Sequence, residues 1–592
     1  MKKILLTLSV LAMAGTTAFG QTGTTIEGVK LESHHVFTDY PNINLSPDGK
    51  WAVGADEMGT LVIFNLTDGS AVLFQADAEA GYEFSLGNGN AFATDGTIVG
   101  STTLNGSGAA YCKDGVWHLL PVPDAEKVNL ANGISADGSV IVGSIGNADI
   151  SLTEDNIMSV PAVWTRKADG TYGDPEILPY PTEDFTGRKP QYILALCVNP
   201  EGNRIISLMH DWTGFVVEPV IFDKGADGKW TCNNMANELI NPNNLPVPVD
   251  PGESPVAPNV EDYMSEDQLA AYNAAMEEWR NNGYNPDLYP NAADYMTAEQ
   301  TAAYNAAVEA YNAAAAEYNQ KLEEYQTAMD AILNSGTTFE MNNIAMSSDG
   351  SKFALTSIKQ IENPDPMGWM PFVDINVPYL FTFGEDGKAT YAAKATTENV
   401  ALVSLADDGR ILGTHTTDAG YEEAWISDTE GNWQTLADYV KSVDTESYNW
   451  MKENMVHSVP VDFNYETGEE IYGDVFLTGL TYGNSDFTVF LGRVGNNWDW
   501  EAGVEYYDYL YKIDPNSAIK NVVSADFGLT ARRGGIIEIN GVADAQVYDL
   551  QGREVFAVKG ASGEVATGLA SGVYIIKGTD AEGRVITRKA VL

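Results

Sequence analysis

Six histidines, three cysteines and 83 Asp and Glu residues are what this chain could use for proton transfer, nucleophilic attack or metal binding. They form no recognisable constellation. The histidines stand at 34, 35, 118, 210, 415 and 457, and only His34-His35 are close. Neighbours on a strand point to opposite faces, so that pair is a poor metal clamp. There is no His-Glu-x-x-His zinc motif, no Gly-x-Ser-x-Gly nucleophile elbow and no phosphate-cradling Gly-rich loop of the Walker type. Cys112, Cys197 and Cys232 have no nearby histidine to activate a thiolate. An odd cysteine count leaves at least one thiol unpaired or shared between molecules. Cys197 and Cys232 could meet within one repeat, or all three could be small buried hydrophobes. Carboxylates are too numerous to single out a facing pair for glycoside hydrolysis. The sequence therefore assigns no catalytic residue, no metal ligand and no cofactor.

The residues that recur are Asp-Gly pairs, and they speak of scaffold. The clearest copy is Ser135-Ala136-Asp137-Gly138-Ser139-Val140-Ile141-Val142-Gly143, a tight turn between apolar runs. Relatives stand at Asp48-Gly49, Asp95-Gly96, Glu201-Gly202, Asp349-Gly350 and Asp408-Gly409, with a weaker one at Glu466-Thr467-Gly468. Most are followed by a second hairpin, as in Ala162-Val163-Trp164 before Asp169-Gly170. Repeated four-stranded units predict a mainly β chain, a seven-bladed β-propeller over residues 21–518. Asp-Gly could offer carboxylate and carbonyl oxygens to calcium, but none fits a twelve-residue EF-hand loop and turn formation accounts for the pair. The Ala-Asp-Gly-Ser-x-Ile-Val-Gly phrasing resembles HAF-type extracellular propeller repeats of bacterial surface proteins.

One interval breaks the period. An insertion at about 241–336 opens with Pro242, Pro246, Pro248, Pro251, Pro255 and Pro258. Two related segments follow, Asp262-Tyr263-Met264 and Asp294-Tyr295-Met296, offset by 32 residues like Tyr272-Asn273-Ala274-Ala275 and Tyr304-Asn305-Ala306-Ala307. Each starts with a capping-box signature, Ser265 with Gln268 and Thr297 with Gln300. Tyr304, Tyr311, Tyr318 and Tyr325 recur every seven residues, with Val308, Ala315, Leu322 and Met329 between them. The expectation is an α-helical hairpin: a helix of about 17 residues antiparallel to one of about 38, turned at Asn285 to Pro290, half of the longer helix lacking a partner within the hairpin.

Both ends read as export signals. Lys2-Lys3, the apolar run Ile4–Ala14 and Ala18-Phe19-Gly20 make residues 1–20 a signal peptide. No other apolar run is long enough to be a transmembrane segment. The net charge is -50 and is concentrated in 21–518, since 1–20 carries two lysines and 519–592 nine basic against eight acidic side chains. Such a surface repels nucleic acid and anionic membranes. Residues 519–592 predict a small β-sandwich C-terminal domain. Tyr548-Asp549-Leu550 with Gly552-Arg553, then Gly572-Val573-Tyr574, then a basic last strand around Lys589 carry a close resemblance to the C-terminal sorting domains of Bacteroidetes type IX secretion substrates. That resemblance implies passage through the type IX export machinery, removal of this domain, and release or outer-membrane surface attachment.

Function is then expected in loops. Asp-Gly turns should trim one side of the propeller, and the long connections Gly146–Pro161, His210–Glu218, Gln360–Pro378 and Lys441–Pro460 should elaborate the other. Their aromatics Trp212, Phe215, Trp369, Phe372 and Trp450 are the candidate binding residues for an extracellular protein or glycan. The rival expectations are a glycan-active hydrolase with carboxylates in the propeller cleft, and a structural envelope or matrix protein.

Overall fold

The computed structural model describes residues 24–591 except 27–33, 38–43, 56–60, 69–70, 75–83, 103–107, 114–115, 125–126, 147–156, 211–216, 364–369, 385–386, 395–398, 418–419, 465–466, 497–504, 515–527, 533–535, 541–543, 550–551, 561–562, 571–572 and 580–584. Residues 1–20, where a signal peptide is expected, lie outside them. The chain divides into two units. One comprises Met1–Asp184, Lys189–Met235 and Phe339–Leu592, the other Phe185–Arg188 and Ala236–Thr338.

The first unit is mainly β, and its turns follow from the Asp-Gly phrase. The Ser135 hydroxyl donates to Asp137 Oδ1 at 2.8 Å, and the same oxygen accepts the Ser139 N–H at 2.8 Å. Gly138 N–H closes the turn on the Ser135 carbonyl at 2.8 Å, with φ at +68°, which favours glycine. Ser46-Asp48 and Ser347-Asp349 repeat the serine-to-aspartate bond at 2.7 Å. Each turn delivers a strand with a buried face. Val140–Gly146 is buried throughout, and the Trp164 ring is enclosed beside it with its indole N–H on the Pro121 carbonyl at 2.7 Å.

The sheets these turns build correct the seven-bladed expectation. Among the described residues no closed β-propeller is found; the sheets are open and unequal. They contain five, four, eight, four, four, four and two strands. The eight-stranded sheet arises because two meanders, Leu130–Thr165 and Tyr192–Asn234, join edge to edge through the parallel pair Ser159 and Tyr192. The first sheet gains a fifth strand when Thr24–Ile26 pairs with Ala71–Phe74. Of the weaker seventh repeat, Glu466 lies outside the described residues, and Thr467-Gly468 lead into Glu469–Phe476, which pairs only with Val456–Asn464. The turn that leads into Val489–Asn496 is Asn484-Ser485-Asp486-Phe487, where Phe487 takes the glycine position at φ +53°. That sheet is completed by Glu505–Lys512 and by His34–Phe37.

Further on, Gly528–Arg532, Ile536–Asn540 and Gly563–Ala566 form a three-stranded sheet. Asp544–Tyr548, Glu554–Lys559, Val573–Thr579 and Val585–Val591 form a four-stranded one. The two share a core of Ile537, Ile539, Ala545, Val547 and Ile576.

The second unit is helical. It holds α1 (Ala236–Leu239), 3-10 turns Val260–Tyr263 and Ala292–Tyr295, α2 (Glu266–Asn281) and α3 (Ala298–Ser335). Both capping boxes form, at Ser265 with Gln268 and Thr297 with Gln300. The helix lengths match expectation; the packing of the hairpin differs. The two repeats meet at their first turns, where the Gln268 and Gln300 amides exchange hydrogen bonds at 3.0 and 2.9 Å. Tyr263 of the first repeat packs edge-on against Tyr304 of the second at 5.5 Å, and Tyr295 of the second against Tyr272 of the first at 5.6 Å. Shifting each residue by 32 converts one contact into the other, so the duplicated segments are related as the halves of a two-fold dimer. The far end of α2 packs on its own connection, Trp279 against Tyr284 and Tyr289.

Candidate binding site

Among the described residues the first unit holds a cavity of about 430 Å³. Its walls come from the opening strands of successive sheets: Asn44 and Leu45, Leu86 to Phe92, Cys197, Ile344 to Met346, Leu402 to Leu405, and Leu480, Tyr482 and Gly483. The longest contribution, Leu86-Gly87-Asn88-Gly89-Asn90-Ala91-Phe92, follows from its glycines. A Cβ on Gly89 would stand 1.8 Å from the Leu196 carbonyl oxygen, so only glycine lets this segment pass. Asn90 then locks it. Its amide donates to the carbonyls of Ile134 at 3.2 Å and Val198 at 2.7 Å, and its carbonyl accepts the Val198 N–H at 2.9 Å. Asn132, the equivalent residue of the next repeat, donates to the Ala195 carbonyl at 3.0 Å. Sequence reasoning passed over both. The available signal was an asparagine five residues before each of Asp95-Gly96 and Asp137-Gly138.

Among the described residues that line the cavity there is no Asp, Glu, His, Lys or Arg. Its polar side chains are Asn44, Asn88, Asn90, Ser404, Tyr482 and Ser485, with the Cys197 thiol, which burial pushes up to about 12. Asn88 is exposed, whereas Ser404 already accepts the Gly483 N–H at 3.2 Å. A smaller adjoining space of about 150 Å³ shares Pro47, Asn90, Phe92 and Met346 with the first. Its one carboxylate, Asp48, is engaged by the Ser46 hydroxyl at 2.7 Å and by Lys50 at 3.2 Å. The polar groups of these walls can donate and accept hydrogen bonds.

The residues with the chemistry lie elsewhere and are spent on packing. His118 stacks on Tyr111 at 4.7 Å, His210 on Tyr192 at 5.1 Å, and His415 tilts over Trp425 at 4.6 Å. Burial holds the imidazoles of His118 and His457 below their ordinary pKa. No cluster of His, Cys, Asp and Glu among the described residues could hold a metal ion. None of the three cysteines is in a disulfide; Cys112 and Cys197 are buried and Cys232 exposed.

The aromatic candidates separate. Trp212, Phe215 and Trp369 lie outside the described residues. Phe372 is on the surface, 50% exposed, but not in a long loop: Lys352–Glu362 and Phe372–Phe383 run on as one long hairpin, with Phe372 opposite Glu362. Trp450, expected on an exposed connection, is half-buried and packs against the edge of a core. Its connection folds into α4 (Leu436–Val443) and α5 (Thr445–Asn454), and its ring lies 6.2 Å from Tyr509 and 6.1 Å from Tyr511. The buried set Leu436, Ala437, Val440, Met451 and Met455 shows why: these short helices have an apolar face to hide.

In the C-terminal segment Asp549 and Arg553 meet across a turn, Arg553 Nε on Asp549 Oδ2 at 2.7 Å, with Gly552 at φ +75°. Tyr548 ends its strand, and the Tyr574 hydroxyl donates to the Ala570 carbonyl at 3.0 Å. Val573 pairs with Val591 and Lys589 with Ile575. Leu550 and Gly572 lie outside the described residues.

No family model and no curated protein matches the chain. Among solved structures it aligns with a prolyl endopeptidase studied for inter-domain dynamics in catalysis and specificity, at 8% identity and TM-score 0.37, covering 93% of this chain and 54% of that one. It also aligns with prolyl oligopeptidase B from Galerina marginata bound to a 35mer substrate, at 9% identity and TM-score 0.36, covering 92% and 55%. The chain thus spans about half the length of these structures.

Proposed function

We propose that this is an exported binding protein, without catalytic activity, that takes up an uncharged polar ligand, a glycan or a stretch of peptide backbone. The observation that supports this reading is the cavity wall: amides and hydroxyls set among apolar side chains, with no Asp, Glu, His, Lys or Arg among the described residues that line it. A glycosidase of the carboxylate type needs two acids across its cleft, and the described residues of this wall include none. Export rests on the type IX resemblance at Tyr548–Arg553 and Val573-Tyr574. The Asp549–Arg553 ion pair keeps that phrase in a defined turn that machinery could read. The mature protein would then be released or surface-attached after loss of the signal peptide and the C-terminal domain. Among the described residues no helix is long and apolar enough to cross a membrane.

The test is an array of neutral glycans and unmodified peptides probed with the full chain. Asn88→Ala, at an exposed amide on the cavity wall, should weaken the strongest binding about tenfold, the size of one lost hydrogen bond. Cleavage of the captured ligand, seen by mass spectrometry, would overturn the non-enzymatic reading. Undiminished capture by Asn88→Ala would remove the cavity as its seat.

A further inference from the structure

The tyrosines of α3 invite a question that the two-fold contact leaves open. Tyr304 is met by Tyr263 at the helix start, but Tyr311, Tyr318 and Tyr325 continue the same stripe for three further heptads. All four are half-buried rather than exposed. Three contacts show what runs beside them. At the end of α3, Thr337 N–H donates to the Leu239 carbonyl at 2.8 Å. Arg188 pairs with Asp250 and lies 5.5 Å over the Tyr325 ring, tying the Pro-rich segment to the middle of the helix. Tyr263 then reaches Tyr304. Positions 239, 250 and 263 therefore match 337, 325 and 304, an antiparallel course.

Length leaves little freedom. Tyr325 and Tyr304 are about 32 Å apart along the helix. From Asp250 to Tyr263 the chain offers about 36 Å, with nine residues in a polyproline-like rise and four in a 3-10 turn, less what the turn at Gly252, φ +83°, takes up. A segment this taut must lie along the helix. Burial agrees on its facing: Pro248, Pro251, Pro255 and Pro258 are half-buried, while Val249 and Val256 are 90% and 89% exposed. Prolines turned inward and valines outward is the reverse of what transfer free energy alone would choose. It is what recognition of proline rings by an aromatic row requires.

We propose that the tyrosine row of α3 is a polyproline-recognition groove, occupied in cis by the chain's own segment Leu245–Pro258. The prolines come as two pairs, Pro248 with Pro251 and Pro255 with Pro258, parted by a turn at Gly252 with φ +83°; within each pair the three-residue step is about 9 Å, against tyrosines about 10.5 Å apart. The preset backbone of proline makes the strap inexpensive to order.

The test compares acetylation of individual tyrosines by N-acetylimidazole in the full chain and in Pro248→Ser/Pro251→Ser/Pro255→Ser. Tyr311 and Tyr318 should react at least fivefold faster in the triple variant. A peptide of sequence 245–258 should bind that variant, restore protection, and fail to bind the unaltered chain. Val249→Ser/Val256→Ser should change nothing. Equal reactivity of Tyr311 and Tyr318 in parent and triple variant overturns the proposal, as does peptide binding that survives Tyr311→Ala/Tyr318→Ala. If the triple variant loses its helical circular dichroism, the parent alone decides: Tyr311 reacting as fast as Tyr284, which is 63% exposed, sinks the idea.

Discussion

Both units are built by internal duplication, and they use their copies in opposite ways. In the β unit one repeat hands on to the next. Thr94 N–H donates to the Ala136 carbonyl, Ser348 to the Asp407 carboxylate, Asp407 N–H to the Ser485 carbonyl and Ser485 N–H to the Pro47 carbonyl. Donor and acceptor surfaces differ, so each copy still has a side to offer after its neighbour has docked. In the helical unit Gln268 and Gln300 exchange identical bonds, and each tyrosine contact has a mirror in the other repeat. That contact is isologous and saturated at two copies. Copy number thus follows from contact symmetry: many sheets, and only a pair of helical repeats.

The comparison can be broken first on the β side. Gly89→Ala forces a methyl into the Leu196 carbonyl. It should cost about 3 kcal/mol, read as a lowered urea midpoint, because overpacking at a backbone crossing has no flexible side chain to yield. An unchanged midpoint would mean that the central segment does not bind the repeats together.

A second, broader effect should come with acid. Burial works against ionisation of Asp95, Asp137 and Asp349, but hydrogen bonds from the turn residues and the nearby Lys113, Arg166 and Lys352 outweigh it and hold all three below their ordinary pKa. A depressed folded pKa stabilises the native state above the unfolded value, near 4, and that stability is lost as pH falls through the folded values. Urea midpoints should therefore be level from pH 7 to about 5 and fall steeply below 4. Asp137→Asn should flatten part of that slope; a slope identical to the parent's would show that the turns are not its source.

The smallest effect tests the two-fold. Gln268→Ala and Gln300→Ala should each weaken the helical unit slightly. The double variant should be less damaging than their sum, with a coupling of about 0.5 kcal/mol in thermal unfolding followed by circular dichroism. Strict additivity would mean the reciprocal bonds contribute nothing as a pair.

Legibility followed the range of the interactions. The Asp-Gly turns and both capping boxes are bonds between residues a few positions apart, and they stood in the sequence as they stand in the structure. The turn at Asn484–Phe487 escaped notice because a phenylalanine fills a glycine's place, tolerated since its ring is enclosed in a core with Phe490 and Tyr511. How far Trp450 is covered depends on what α4 and α5 pack against, which its own stretch of sequence does not carry. The joining of two meanders at Ser159 and Tyr192 rests on one long-range pairing, and sequence periodicity carries no record of it. Asn90 acts across 108 positions; its type was visible, its partner was not.

The reciprocity of Gln268 and Gln300 has an evolutionary side. Each glutamine is at once donor to and acceptor from its counterpart 32 residues away, so neither can change alone without stranding the other's amide. Selection acting on one copy is selection on both, and the two positions are bound to vary together, although nothing in the chain between them need do so.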